Sequence, residues 1–365
     1  MGFKCGLVGL PNVGKSTLFT ALSSLPVERA KFPFSTIEPN MGIVPVRDER
    51  LYKVAALVGI EKITPATLTI IDIAGLIKGA GKGEGLGNRF LAHIREMDLL
   101  LHVIRGFQAP DVPHLAGEPN PIRDIEIINL ELILADLAFL ERKREKVFRN
   151  AKSKSREAQL EKELVEKIYE HLNNGKPARS LILSAKEKSV AGGWQLLTMK
   201  PEIFVVNIDE KDLSVGESET VRSVKRLSKK TSTPVISICA SLEAEFEEME
   251  EDERAVFMEE YGLPDTGLDR LIKTGYDYLG LITFFTVKGK EARAWAVKKG
   301  TVAREGAGKV HTDMERGFIA AEVIDWEELI KAGSLTEAKE KGSIRLEGKD
   351  YLLKDGEVVL FRFKV

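Results

Sequence analysis

Eight residues near the amino terminus constrain this chain more than any other segment. Gly9-Leu10-Pro11-Asn12-Val13-Gly14-Lys15-Ser16 reads G-x-x-x-x-G-K-S, directly behind the apolar run Phe3 to Val8. Its glycines let the backbone curl so that successive N–H groups face inward, a lysine reaches the β and γ oxygens of a bound phosphate chain, and the next hydroxyl is offered to magnesium. Leu18, Phe19 and Leu22 share one face of the helix that should begin near Ser16, and its N-terminal end adds positive potential to the same anion site. The expected ligand is a nucleoside triphosphate, and the expected frame is an α/β sheet.

The alternation continues downstream. Residues 31–40, broken by Pro33 and Pro39, read as a loop; a strand at 42–46, a helix at 49–58 and a strand at 67–71 follow, the last running into Asp72-Ile73-Ala74-Gly75. Glycines at 79, 81, 83, 85 and 87 make the next stretch another loop. A helix at 86–97 and a buried strand at 98–104 complete a pattern that predicts a mostly parallel sheet wrapped by helices. Between 129 and 172, Leu130, Ile133, Leu134, Leu137, Leu140, Leu160, Leu164, Ile168 and Leu172 recur at helical steps among dense charge, which predicts an inserted antiparallel hairpin turning near 150–155. Strands at 202–206 and 234–239 and helices at 218–230 and 268–279 then resume the sheet, with the acidic stretch 243–253 a solvated helix face. Strands at 282–287, 292–297, 343–346, 351–353 and 358–363 make a separate small α+β domain. The expected division is a nucleotide domain at 1–128 and 198–280, a helical (coiled-coil) hairpin at 129–197 and a C-terminal domain at 281–365.

With 365 residues and a formal charge of −2, any nucleic-acid surface must be a local patch. Arg142, Lys143, Arg144, Lys146, Arg149, Lys152, Lys154 and Arg156 crowd the turn of the hairpin and are the candidate. Cys5 and Cys239 lack metal-ligand spacing and fit a reducing cytosol. The N-terminus enters a strand without a signal-like apolar core and no run approaches membrane length, so a cytoplasmic protein with no membrane partner is expected.

Asp72-Ile73-Ala74-Gly75 narrows the chemistry to switch NTPases. There a strand ends in D-x-x-G, the aspartate meeting the magnesium shell and the glycine N–H the γ-phosphate. Thr36 lies where such proteins place a threonine hydroxyl on magnesium, so the metal set is Ser16, Thr36 and Asp72. The residue that would orient the attacking water is Leu76, which cannot do so. Of the imidazoles, His102 reads as a satisfied core histidine; His114, in the irregular 110–121 segment, either assists hydrolysis beside Lys15 or is a plain loop histidine. Asn207-Ile208-Asp209-Glu210 stands where GTPases carry N-K-x-D. The longer acid and the missing lysine favour adenine, read by Asn207 and by backbone around Ile208 and Cys239, over an intact guanine site. Asn12 either helps hold a potassium ion between the phosphates or serves loop geometry alone.

On these residues the chain resembles the YchF, or Obg-like ATPase, family. The likeness rests on the phosphate loop through Thr17, Phe32-Pro33-Phe34-Ser35-Thr36-Ile37-Glu38-Pro39-Asn40, the glycine-rich run from Asp72 to Asn88, the tetrad 207–210 and Gly308-Lys309-Val310-His311-Thr312-Asp313. The resemblance implies a GTPase-like domain that prefers ATP, the inserted hairpin, and a TGS domain of ubiquitin-like β-grasp shape. It also implies association with ribosomes and a role in translation or stress control; the expected partners are the large subunit or whole ribosome and ribosomal RNA, and the expected state is mostly monomeric. By that pattern Asn12, Val13, Gly14, Lys15, Ser16 and Thr17 bind phosphates, Ser16 and Thr36 meet magnesium, Ile208 contacts the base, and His114 takes the place of the candidate catalytic histidine; Gly75, Asn207, Glu210 and Cys239 complete the expected nucleotide set from the motifs above. Ser35 stands where many members have cysteine, and Arg304-Glu305-Gly306 alters the TGS loop. A ribosome- or RNA-binding module with nucleotide as a structural ligand, and a true GTPase, are the competing functions.

Overall fold

The computed structural model describes residues 3–24, 41–73, 86–109, 111–114, 118–149, 155–246 and 248–364. Among these, β1 (Phe3–Val8), β2 (Met41–Val46), β4 (Ala66–Asp72), β5 (Leu99–Arg105), β6 (Glu202–Asn207) and β7 (Val235–Ile238) form one sheet in the order β2-β4-β1-β5-β6-β7; β3 (Lys62–Thr64) lies elsewhere. Its neighbours are parallel except β2, which runs antiparallel to β4. Strands covered on both faces carry continuous apolar runs rather than alternation, and all seven residues of β5 are buried. Helices Lys15–Ser24 and Gly267–Tyr278 supply Leu18, Leu22, Leu268 and Leu271 to the core around Cys5, Leu7 and Leu101. The loops after β1, β4, β5 and β6 therefore gather at one edge, where ligands bind in open parallel sheets.

The hairpin's first helix is Pro121–Arg149, so the boundary expected at 128/129 falls inside it. Pro121 opens the helix, where its missing N–H costs nothing, and Asn120 Oδ1 accepts from Arg123 N at 3.1 Å. One helix serves two cores. Ile128, Leu132 and Ala135 pack under the sheet, whereas Ile133 and Leu140 meet Leu164, Ile168 and Leu172 of the returning helix Arg156–Asn173. At the crossing, buried Asp136 accepts from Leu197 N (2.9 Å), Thr198 N (2.8 Å) and Thr198 Oγ1 (2.6 Å).

The second sheet contains β8 (Leu281–Lys288), β9 (Glu291–Lys298), β10 (Phe318–Asp325), β11 (Arg345–Glu347) and β12 (Glu357–Phe363) in the order β11-β10-β12-β8-β9, with β3 added beyond β9. The last strand lies parallel to β8 between the β8–β9 hairpin and β10, and helix Ala303–Val310 packs Ala303 and Ala307 against it, which is a β-grasp. The strand expected at 351–353 is reduced to a bridge between Val302 and Leu352, while β10, with Ala320 and Ala321 at its middle, was not anticipated.

This domain is less separate than its sequence texture suggests. β3 pairs with β9 through Glu291, Ala292 and Arg293, and then continues past Pro65 into β4. Leu51, Val54 and Ala55 of helix Glu49–Leu57 share a core with Phe285, Ala294, Leu329 and Val358. Arg50 Nη1 meets Asp355 Oδ2 at 2.5 Å while its Nε and Nη2 hold Asp48 at 2.9 and 2.8 Å. The segment that leads to Asp72 is thus built into both sheets. Among the described residues, no helix is long and apolar enough to cross a membrane.

Candidate nucleotide-binding site

Residues 9–16 leave β1 and enter helix Lys15–Ser24 as the sequence requires. Gly9 has φ 153° and Gly14 φ 93°, and a Cβ on them would lie 2.4 Å from Val103 O and 2.1 Å from Asn207 Nδ2, so both positions need glycine. Asn12 sits in the left-handed region with φ 62°, which asparagine tolerates best among side-chain-bearing residues. Lys15 is buried and donates its ammonium to Gly9 O (3.1 Å) and Leu10 O (2.8 Å). Burial lowers its pKa against the opposing pull of Asp72. A cation held on neutral carbonyls in a dry site is poised to exchange them for anionic phosphate oxygens.

Ser16 Oγ donates to Asp72 Oδ2 at 3.3 Å, and buried Asp72 Oδ1 has no hydrogen-bond partner among the described residues. A buried carboxylate oxygen left unpaired beside a hydroxyl is the donor set a hard divalent cation takes, so these residues fit magnesium. Thr36, Gly75 and Leu76 lie outside the described residues. Val13 is buried beneath the loop, and Thr17 is exposed at the start of its helix.

Asn207, expected to read adenine, braces the phosphate loop. Its Nδ2 donates to Val13 O (3.1 Å) and its Oδ1 accepts from Ala240 N (3.0 Å), so both polar ends are engaged by the chain itself. The Ile208 side chain is only 5% exposed within an apolar cluster that includes Cys239, and its N–H donates to Ile238 O at 2.9 Å. Cys239 Sγ lies 3.3 Å from Ser241 Oγ. Glu210 is exposed and accepts from the Tyr261 hydroxyl.

Sequence reasoning passed over Arg105. Its buried guanidinium, behind the apolar β5, donates to Phe107 O (3.4 Å), Ala109 O (2.8 Å) and Val112 O (3.0 Å), winding the following loop back toward the phosphates. Pro113 O there accepts from Asn12 Nδ2 at 3.1 Å, and Phe107 Cε1 comes within 3.9 Å of where a Gly14 Cβ would be. A charged residue ending an otherwise apolar strand was the available signal. His114 follows at once, with Nε2 2.9 Å from Asp124 Oδ2 and both side chains less than 5% exposed. His102 is a paired core residue, its Nδ1 2.6 Å from Glu202 Oε1, and Arg179 meets the other carboxylate oxygen. His93 is exposed on helix Leu86–Glu96.

The basic turn of the hairpin is less open than its sequence implies, because acids of both helices pair with it. Lys143 pairs with Glu161 (2.6 Å), Arg144 with Glu166 (2.8 Å) and Arg149 with Glu145 (2.9 Å), and Lys143 and Arg144 also lie over the rings of Trp194 and Tyr169. Lys152 and Lys154 lie outside the described residues.

Comparison with known proteins agrees with this architecture. Residues 4–133 match a family model described as 50S ribosome-binding GTPase, and residues 281–364 match the YchF-GTPase_C model, described as a protein of unknown function. Proteins named ribosome-binding ATPase YchF are similar over the full length of both chains, at 45% identity in Bacillus subtilis and 46% in Escherichia coli O157:H7. The solved YchF GTPase of Schizosaccharomyces pombe superposes with a TM-score of 0.88 at 33% identity, covering 99% of this chain and 98% of that one. A GTP-binding protein from Pyrococcus horikoshii, with a TM-score of 0.62 at 20% identity over 99% of this chain and 100% of its own, shares the fold.

Proposed function

This chain belongs to the YchF family, and from that premise we propose that it is a magnesium-dependent ATPase switch that works on ribosomes in the cytoplasm. The observation that carries the reading is the junction at the phosphate loop, where Lys15 stands on two carbonyls and Ser16 faces an aspartate with an unpaired buried oxygen. When bound, magnesium would neutralise charge building on the β and γ oxygens. Ser16 and Asp72 would hold it, with Thr36 as third ligand and Gly75 N–H on the γ-phosphate. The loop residues 12–17 cradle the phosphates, and Lys15 adds a full charge in a site where little water screens it. Asn207 fixes the loop and, with Ile208, Glu210 and Cys239, borders the base.

Catalysis draws on His114 in place of a water-positioning glutamine. The Asp124 carboxylate, 2.9 Å from Nε2, would hold the ring in place for that role. Asn12, beside Pro113, would help seat a potassium ion, so turnover rises in potassium over sodium. We read the β-grasp domain as a TGS domain and, with the hairpin, as the face toward ribosomal RNA, the protein acting as a monomer.

Turnover of magnesium ATP by the purified protein, with and without ribosomes, tests the switch. Faster turnover with ribosomes, and a slower rate without loss of ATP binding in His114→Ala, is the expected result; a rate indifferent to ribosomes refutes it. Cosedimentation over a salt series tests the contact, because phosphate contacts release counterions and reversing Arg142, Lys146 and Arg156 should flatten the salt dependence.

A further inference from the structure

One contact at the base end of the site joins parts of the chain that no local pattern connects. Tyr261 caps the C-terminal end of helix Glu251–Glu260, and its hydroxyl donates to Glu210 Oε1. The helix is seated rather than loose, because Met258 packs on the apolar cluster that contains Ile208 and Cys239. The hydrogen bond to Glu210, with burial second, pushes the Tyr261 phenol up to about 12, so at neutral pH the hydroxyl keeps its proton and remains a donor.

The bases differ in what they ask of this position. Guanine presents two donors on one edge, its ring N–H and its exocyclic amino group, and an acid placed there answers with two oxygens. Adenine presents a single exocyclic amine beside ring acceptors. Tyr261 fills one acceptor position of Oε1 and fixes how the Glu210 carboxylate is turned, so its two oxygens are not free to swing together onto two donors, whereas a single donor can still be met by Oε2. Neighbouring Asp209 is committed as well, since its Oδ2 accepts from Gln108 N at 3.1 Å and lies 3.4 Å from Lys211 Nζ. A guanine donor set against the carboxylate without an aligned acceptor gains nothing for the water it gives up.

We propose that Tyr261 is a specificity-determining positioning residue: by holding Glu210 Oε1 it keeps the carboxylate from turning both oxygens to the two donors of guanine and biases the site toward adenine. The inference rests on the ATPase reading above, in which residues 207–210 border the base.

The test is calorimetric titration of the full chain with ADP and with GDP, in magnesium, for wild type, Tyr261→Phe, Glu210→Ala and the double variant. In Tyr261→Phe the GDP affinity should rise relative to ADP by about fivefold to tenfold, the worth of one recovered hydrogen bond to a charged group, while ADP binding stays within about twofold. In the Glu210→Ala background the same change should leave the ratio alone, because the hydroxyl then has nothing to hold. A native Tyr261→Phe protein with an unchanged ratio overturns the proposal, and so does an equal shift without Glu210, which would assign the effect to the ring itself. Should Tyr261→Phe fail to fold, Glu210→Asp withdraws the carboxylate by one methylene and must move the ratio the same way. The wild-type ratio judges the ATPase reading, whereas the change in that ratio judges Tyr261 whatever its starting value.

Discussion

Replacing Asn207 with alanine tests whether one side chain couples the phosphate loop to the base end of the sheet. The side chain is 7% exposed and makes two bonds, to Val13 O at 3.1 Å and from Ala240 N at 3.0 Å. Alanine would leave a buried acceptor and a buried donor unmatched, each at about 1–3 kcal/mol. A water entering the vacated space would satisfy part of that demand, so the net loss of stability should fall at about 2–4 kcal/mol. Because the bond to Val13 O also fixes the loop in its phosphate-ready shape, an ordering cost of about 1.4 kcal/mol, or tenfold in affinity, should pass to the nucleotide. Urea unfolding gives the first quantity and titration with ADP the second. An Asn207→Ala protein with an unfolding midpoint like the wild type and ADP affinity within about twofold would refute the brace, since two orphaned buried groups cannot be silent. Asn207→Asp is the informative control. It keeps an acceptor for Ala240 N while setting a carboxylate against Val13 O, so it should weaken ADP binding more than it weakens the fold.

Further expectations follow from other contacts. Arg50→Ala removes a guanidinium that bridges Asp48 and Asp355, at 27% side-chain exposure, and should cost about 2 kcal/mol after solvent screening; urea unfolding should then separate into two transitions as the β-grasp domain loosens, and a single unshifted transition would count against the rivet. Glu243 accepts from Gly267 N and Leu268 N, and burial raises its carboxyl from 4.5 to about 7. The folded state therefore holds this proton more tightly than the unfolded one, and the associated stability is complete below 4.5 and lost as pH rises through about 7. Glu243→Gln should flatten unfolding free energy across that window by up to about 3 kcal/mol, and an unaltered pH profile would show that Glu243 is not its source. Gly14→Ala should abolish nucleotide binding, because its Cβ would stand 2.1 Å from Asn207 Nδ2; ADP titration of the native-like variant settles it.

The phosphate loop, the strand and helix around it and the run into Asp72 are legible in the sequence because their requirements are local. Backbone N–H groups must face one ion, which takes a few residues in fixed order, and apolar periodicity of 3.6 or 2 marks what a helix or strand buries. Even so, helical periodicity around 129–172 did not show where its first helix begins, since Pro121 starts it and one face changes partners along its length. Other features belong to tertiary structure alone. Nothing in Lys62-Ile63-Thr64 says that it will pair with Glu291, Ala292 and Arg293. Nothing near Asn207 says that its side chain will be engaged by Val13 and Ala240 before a base arrives, and the acids that pair with Lys143 and Arg144 come from the returning helix. Each of these joins residues distant along the chain, where no short-range spacing records the contact. Only packing brings Tyr261 to Glu210, and that contact fixes how the carboxylate is turned.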